Sequence, residues 1–183
     1  LLTSHIQGWR NIWGREDLPF YIVQLPNYMP SGTQPEESGW VTLRESQRRA
    51  ASTLGATIVT GLGLGEKMDI HPLRKKEMAA RIMAEHLGEG APKPISSSQF
   101  GSELTVAFSS PLREGAVHGL ELSADGRKFY NAEGTAKGKT LTVTCAEVPN
   151  PVAVRYAWHN SPDDADLCGK NGQPVCTFEL KKQ

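Results

Sequence analysis

Two short runs of sequence decide the fold of this chain: FYIVQL at residues 20–25 and ATIVTGLGL at residues 56–64. Both are continuously apolar and rich in β-forming residues, which is typical of strands buried on both faces, as in a parallel sheet. Between them lie a proline- and glycine-rich loop at 26–39 and the stretch WVTLRESQRRAASTLG at 40–55. That stretch indicates a helix with Gly55 as its C-cap. The order strand, helix, strand predicts an α/β unit.

Helical patterns lie on either side of this unit. In LLTSHIQGWRNIWG, residues 1–14, apolar side chains recur at spacings of three and four residues. This spacing predicts an amphipathic helix with Trp9 and Trp13 packed in the core. Another helix is predicted after Pro72, so residues 1–90 are expected to form half of a doubly wound α/β domain. Because the first helix is already under way at the first residue, we expect the chain to begin in the middle of a larger protein.

The second half of the chain differs in composition and in period. GEGAPKPISSS at 88–98 is rich in proline, glycine and serine, which predicts a linker. From SELTVAF at 102–108 onward, apolar residues alternate with polar ones, and glycine-containing turns separate the segments. Short strands at regular spacing predict a small β-sandwich-like domain over residues 91–183. The predicted fold class is therefore α/β, with part of a doubly wound domain followed by a small β-rich domain.

Composition limits the classes of function. The 183 residues include 20 basic and 20 acidic side chains, so the chain has no net formal charge. This balance argues against a nucleic-acid partner and against an anionic membrane surface. No apolar run approaches the length of a transmembrane helix, so no membrane insertion is predicted.

The sequence contains no recognisable cofactor or metal signature. The cysteines and the histidines of the second half match no metal-site spacing, and GLGLG at 61–65 lacks the features of a phosphate loop. No metal and no organic cofactor is therefore predicted. The cysteines indicate either one disulfide with a buried thiol or three free thiols. The compartment stays open, with a periplasmic or secreted location preferred to a cytoplasmic one. The residues concerned are Cys145, Cys168, Cys176, His118 and His159.

The loop after the second predicted strand carries Asp69 and His71, the residues with the clearest chemistry. A histidine beside a carboxylate can act as the general base of a hydrolase, because the carboxylate fixes the imidazole tautomer and stabilises the imidazolium. Two alternatives remain open at this point. Asp69 fits equally as the N-cap of the helix after Pro72, and His71 fits as a solvent-exposed loop histidine.

A serine-type triad also requires a nucleophile, and the sequence shows no recognisable one. No serine lies in a G-x-S-x-G elbow. The serines at 96–98 lie in the predicted linker, where a flexible backbone would not hold them ready for attack. The sequence is therefore predicted to contain the base but not the nucleophile.

Four segments together resemble sialate O-acetylesterases, which are SGNH-type hydrolases with an α/β fold and a Ser-His-Asp type triad. They follow the family's order along nearly the whole chain, and a fifth segment, GQPVCTFEL at 172–180, matches the family's C-terminal element loosely. The resemblance implies that residues 1–90 are the C-terminal portion of an SGNH-like hydrolase domain. The four segments are GWRNIWGREDLPFYIVQLPNY at 8–28, WVTLRESQRRA at 40–50, DIHPLRKKEMAARI at 69–82 and PVAVRYAWHNSP at 151–162.

The resemblance implies roles for two residues. His71 matches the family's catalytic histidine, and Asp69 matches the first residue of its D-I-H-P segment. The general SGNH pattern has two residues between the acid and the histidine, whereas only Ile70 separates them here. The group that orients His71 is therefore Asp69, a backbone carbonyl, or another carboxylate such as Glu66. The family's nucleophilic serine and oxyanion-hole residues belong to segments that this sequence does not contain.

The implied function is removal of O-acetyl groups from sialic acid by serine-type hydrolysis. This chain would supply the catalytic histidine, and the N-terminal part of the same hydrolase would supply the serine. The implied substrate is an O-acetylated sialic acid or a related acetylated glycan, and no cofactor is implied. The alternatives are an acetylxylan-type esterase, a non-catalytic carbohydrate-binding protein, and a fragment that only completes the fold of another chain.

Overall fold

The computed structural model describes residues 1–182, and this part of the chain contains three helices and nine strands. The helices all lie in the first half, in the predicted order with β1 and β2, and the class is mixed α/β. The helices are α1 (Leu2–Trp13), α2 (Gly39–Leu54) and α3 (Lys75–His86). The strands are β1 (Tyr21–Gln24), β2 (Thr57–Thr60), β3 (Pro94–Phe100), β4 (Glu103–Phe108), β5 (Gly115–Ser123), β6 (Tyr130–Lys137), β7 (Thr140–Thr144), β8 (Ala153–Tyr156) and β9 (Phe178–Lys181).

The first half is built on a parallel pair of strands. β1 and β2 run side by side, with Ile22 opposite Ile58. These two side chains pack with Ile6 of α1 and Ala51 of α2 in a small apolar core. α2 ends at Gly55, which adopts a left-handed conformation with φ of 61°, so the predicted C-cap is confirmed.

Apolar side chains of β1 and α1 are partly exposed, which corrects two expectations. Tyr21 and Val23 of β1 are 36% and 37% exposed, so the strand is not covered on both faces. Trp9 and Trp13 of α1 are 43% and 63% exposed, because α1 turns Ile6 rather than its tryptophans toward the core. A two-stranded sheet is too thin to form the covered layer that a doubly wound fold provides.

The second half is one antiparallel sheet of seven strands in the order β3-β4-β7-β6-β5-β8-β9. The sheet curves until its two edge strands, β3 and β9, come into contact, so it nearly closes around one apolar core. Leu104, Val106 and Phe108 of β4 all face this core, as the alternation predicts. Within residues 1–182 each helix is too short or too polar to cross a membrane.

Two expectations for the second half were wrong. The sequence predicted a sandwich of two sheets, whereas all seven strands belong to a single sheet that curves back on itself. The predicted linker at 88–98 is also wrong over its second part, because β3 pairs with β4 along most of its length. The strand forms because this non-local pairing satisfies its backbone groups, although its serine-rich sequence has weak strand propensity. The boundary between domains at residues 90 and 91 stays a prediction.

Buried polar side chains connect the two halves. The guanidinium of Arg44 on α2 is fully buried and donates to carbonyl oxygens of Leu25 and Pro26 on one side, and of His159 and Asn160 on the other. Its four bonds hold the loop after β1 against the segment after β8.

Candidate active site

The exits of β1 and β2 lie side by side at one end of the parallel pair. The backbone N–H of Gly61 donates to the carbonyl of Gln24, and a Cβ at Gly65 would overlap the backbone of Asn27. The amide oxygen of Asn27 accepts from the N–H of Gly63 at 2.8 Å. The glycine-rich exit is therefore required for close backbone packing, and it anchors the start of the loop that holds Asp69.

His71 and Asp69 are brought together within that loop. Nδ1 of His71 lies 3.2 Å from Oδ1 of Asp69, and the same oxygen accepts the backbone N–H of His71 at 2.8 Å. The backbone hydrogen bond is the main cause that holds the pKa of Asp69 below its ordinary value, and the imidazole contact adds to it. When Nδ1 donates to Asp69, Nε2 is left free to accept a proton, as a general base requires.

The structure separates the alternatives for Asp69. α3 begins at Lys75 with Arg74 at its N-cap, so Asp69 is not the cap of that helix. Glu66 meets Asp69 only in an isolated backbone bridge. Within residues 1–182, Asp69 is the only side chain hydrogen-bonded to His71. No serine hydroxyl in this part of the chain is hydrogen-bonded to the imidazole, which is 86% exposed.

A cavity of about 440 Å³ lies next to this loop, between the two halves of the chain. Its wall includes the loop after β1, strands β5 and β6, and the segment after β8. An ion pair of Lys67 and Asp163 borders both this cavity and a shallower one beside Asp69. The two cavities therefore adjoin each other at that ion pair. We call the cavity of about 440 Å³ the β5 pocket; its polar lining includes Ser31, Asn131, Glu121, His159, Ser161 and Asp164.

Glu121 and His159 are the least expected residues of the β5 pocket. Glu121 lies on β5 with only 2% of its surface exposed, and burial raises the pKa of its carboxyl to about 8. Nε2 of His159 lies 3.5 Å from Oε1 of Glu121. His159 itself is nearly buried. A carboxyl and an imidazole at this separation can share a proton, or both can contact the same ligand.

Sequence reasoning did not identify Glu121. The residue lies between two leucines of an alternating strand, a pattern that places it on the solvent face. The last four residues of β5 are instead all buried, because the segment after β8 and the loop after β1 cover that face. His159 lies inside the motif that carried the family resemblance. A charged residue between two apolar strand residues was the available signal, but only the tertiary structure shows that it is buried.

Other predicted features are located plainly by the structure. All three cysteines are free thiols. His118 pairs with Asp166 at 2.7 Å on the rim of the β5 pocket, and this contact raises the pKa of the imidazole. Among residues 1–182, no group of three or more histidine, cysteine or acidic side chains is arranged to hold a metal ion.

Comparisons with known proteins place this fold. No protein-family model matches the sequence, and no curated protein matches it either. Among solved structures, the chain is similar to XAC1771, a carbohydrate acetylesterase from Xanthomonas citri, with 31% sequence identity and a TM-score of 0.86. Two structures of the bacterial S-layer protein SbsC align at 14% identity over 79% of this chain, covering 34% and 20% of those chains. Their TM-score of 0.39 supports no conclusion.

The similarity to the Xanthomonas citri enzyme covers 100% of this chain and 45% of that one. The chain thus spans less than half the length of the enzyme that it resembles. Because the superposition extends from the α/β half through the seven-stranded sheet, the chain has an esterase-like fold.

Proposed function

We propose that this chain is part of a carbohydrate esterase that removes O-acetyl groups from a glycan. The observation that carries the proposal is the similarity of the whole chain to a carbohydrate acetylesterase, at a TM-score of 0.86. The contact of His71 with Asp69 supports it, because it leaves Nε2 of the imidazole free to act as a base.

The nucleophile in this proposal is a serine on a polypeptide segment outside this chain. No serine of residues 1–182 is hydrogen-bonded to His71, and more than half of the similar enzyme has no counterpart here. The segment would be the N-terminal part of the same hydrolase. It would reach the imidazole from solvent, since the side chain of His71 is exposed.

The proposed mechanism is a two-step acyl transfer. Nε2 of His71 takes the proton of the serine hydroxyl as the serine oxygen attacks the acetyl carbonyl. His71 then gives this proton to the departing sugar oxygen, and Asp69 stabilises the imidazolium in between. Water, activated by the same imidazole, hydrolyses the acetyl-serine and releases acetate. Donors on the missing segment would stabilise the oxyanion.

The finer proposal is that the acetylated sugar is a sialic acid, as the resemblance to sialate O-acetylesterases implies. Acetylated xylan is the alternative substrate of the same chemistry. Acetate release from O-acetylated sialic acid and from acetylated xylan, measured side by side, distinguishes the two. A clear preference for xylan would overturn the sialic acid assignment but would leave the esterase proposal intact.

The test uses this chain together with the segment that carries the nucleophile, as one polypeptide or as a complex. We expect His71→Ala to lower kcat by about 10³-fold or more, because a catalytic base is lost. Asp69→Asn keeps an acceptor for the His71 N–H but cannot stabilise the imidazolium, so we expect a smaller loss of about 10²-fold or more. His5→Ala, at an exposed position on α1, is the matched control.

Three results would each contradict a part of the proposal. Near-normal acetate release by a folded His71→Ala protein would remove the histidine from the mechanism. Near-normal kcat in Asp69→Asn would leave the esterase intact but assign the orientation of His71 to another group. A protein that binds glycans yet never releases acetate would instead be a carbohydrate-binding module.

A further inference from the structure

The wall of the β5 pocket contains a buried acid, Glu121. Neither carboxyl oxygen of Glu121 has a hydrogen-bond partner within residues 1–182, although the side chain is almost fully buried. Such groups are rare in folded proteins, because burial removes their hydration without compensation. Glu121 is one of the residues that line the pocket, and a ligand hydroxyl group that reached its carboxyl would satisfy it.

His159 is a second unsatisfied group on the same wall. Its Nδ1 has no hydrogen-bond partner in this part of the chain, and the nearest acid oxygen, Oε1 of Glu36, is 3.8 Å away. The carbonyl of His159 accepts from the buried guanidinium of Arg44 at 2.7 Å, which fixes the backbone. Two polar groups therefore lie beside each other, and neither Nδ1 of His159 nor the carboxyl oxygens of Glu121 make a hydrogen bond within residues 1–182.

The remaining lining restricts the chemistry of the ligand. Lys67 is paired with Asp163, and His118 is paired with Asp166, so neither cation is free to neutralise an anion. Asp164 adds a further acid to the wall. An anionic ligand group would meet this acidic wall without a free positive partner. A neutral polyhydroxyl ligand suits it better, because each sugar hydroxyl both donates and accepts hydrogen bonds.

Hydroxyl and amide groups complete the polar lining. Ser31 and Ser161 line the pocket, and the backbone N–H of Ser161 donates to the hydroxyl oxygen of Ser31. The amide nitrogen of Asn131 donates to the carbonyl of Thr33 at 3.0 Å, so this side chain is held in place. The cavity volume of about 440 Å³ falls within the range of small-molecule sites, about 300–1,000 Å³.

We propose that the β5 pocket binds a neutral sugar unit of the substrate glycan, with Glu121 and His159 as its main hydrogen-bonding groups. The proposal rests on the proposed function, which supplies the glycan. Because Lys67 and Asp163 border both cavities, the bound unit adjoins the acetylated sugar whose ester lies at His71. The enzyme would therefore act on oligosaccharides in preference to a free acetylated monosaccharide.

Binding can be tested without catalysis. The chain is titrated with three neutral oligosaccharides, lactose, xylotetraose and cellotetraose, at millimolar concentrations while its amide NMR signals are followed. We expect at least one of them to shift signals of the pocket lining. Glu121→Leu should weaken that binding by about tenfold or more, because its hydrogen bonds to the sugar are lost. Glu133→Gln, an exposed acid on β6 outside the pocket, should bind like the unchanged chain.

The thermal melt of Glu121→Leu separates binding from structure. Since neither carboxyl oxygen has a hydrogen-bond partner within residues 1–182, the variant should melt at or above the temperature of the unchanged chain. The inference is overturned if none of the three sugars shifts the pocket signals, if Glu121→Leu binds as well as the unchanged chain, or if it melts clearly lower. Because no acetate release is measured, the outcome is independent of whether the esterase proposal holds.

Discussion

At the scale of single residues, the buried carboxyl of Glu121 makes stability depend on pH. Burial raises its pKa from an ordinary 4.5 to about 8, so the folded state keeps a proton that the unfolded state releases. The free energy of unfolding therefore falls as pH rises between about 4.5 and 8. The charged and titratable groups facing this carboxyl come from three segments: Glu36 and Glu37 after β1, Arg155 on β8, and His159 and Asp164 after it.

Glu121→Gln should remove this dependence, because an amide does not titrate. We expect the variant to match the unchanged chain near pH 5 and to exceed it by about 1–3 kcal/mol near pH 9. Chemical denaturation at several pH values measures the difference, with Glu133→Gln as the exposed control. A difference that stays constant from pH 5 to pH 9 would show that Glu121 is already ionised when folded.

The sequence predicts best those residues whose role depends on near neighbours in the chain. Asp69 and His71 are two positions apart, so their contact follows from the chain itself. Gly55 could be predicted as a C-cap for the same reason. The pairing of Glu121 with His159 joins residues 38 positions apart, and only the packing of three segments shows it.

At the scale of elements, α2 connects the two halves through hydrogen bonds of a buried side chain. The guanidinium of Arg44 donates to four carbonyl oxygens, and two of them, those of Pro26 and Asn160, accept a second hydrogen bond from elsewhere in the chain. Burial lowers the pKa of Arg44 to about 10, so it stays charged near neutral pH. Gln24 of β1 adds bonds of its own, since its side chain contacts the backbone of Arg44 and of Thr177.

Arg44→Met should destabilise the chain by about 3–5 kcal/mol, because the carbonyls of Leu25 and His159 lose their donor and two others lose one of two donors. We expect Arg49→Met, which removes a largely exposed partner of Glu45 on the same helix, to cost less than about 1 kcal/mol. Denaturant unfolding of both variants measures the contrast. Equal effects at the two positions would mean that the four bonds of Arg44 do not hold the halves together.

Strand and helix predictions succeeded where the apolar period is strong and failed where pairing alone makes the element. β4 has a clear period of two and was predicted with the correct inward face. β3 is rich in serine and proline, so its identity as a strand depends on β4 beside it. The single curved sheet also depends on contacts between β3 and β9, which lie far apart in sequence.

At the scale of the whole molecule, the α/β half leaves apolar side chains of β1 and of α1 exposed. β1 and β2 pair only with each other, and Tyr21, Val23, Trp9 and Trp13 are all substantially exposed. Exposed apolar side chains and free strand edges of this kind favour association with another polypeptide. The similar esterase supplies the argument for the partner, because more than half of its length has no counterpart in this chain.

We therefore expect the segment that carries the nucleophile to cover these exposed side chains. On assembly, the fluorescence of Trp9 and Trp13 should shift to shorter wavelength, because indole rings leave water, and amides of β1 should gain protection from hydrogen exchange. A variant with both tryptophans replaced by phenylalanine is the control, since the two remaining indoles, the hydrogen-bonded Trp40 and the buried Trp158, should report no change. Acetate release could instead be restored while β1 stays unprotected and both indoles stay in water. The segment would then complete the active site from another direction, and a different partner would cover the exposed side chains of β1 and α1.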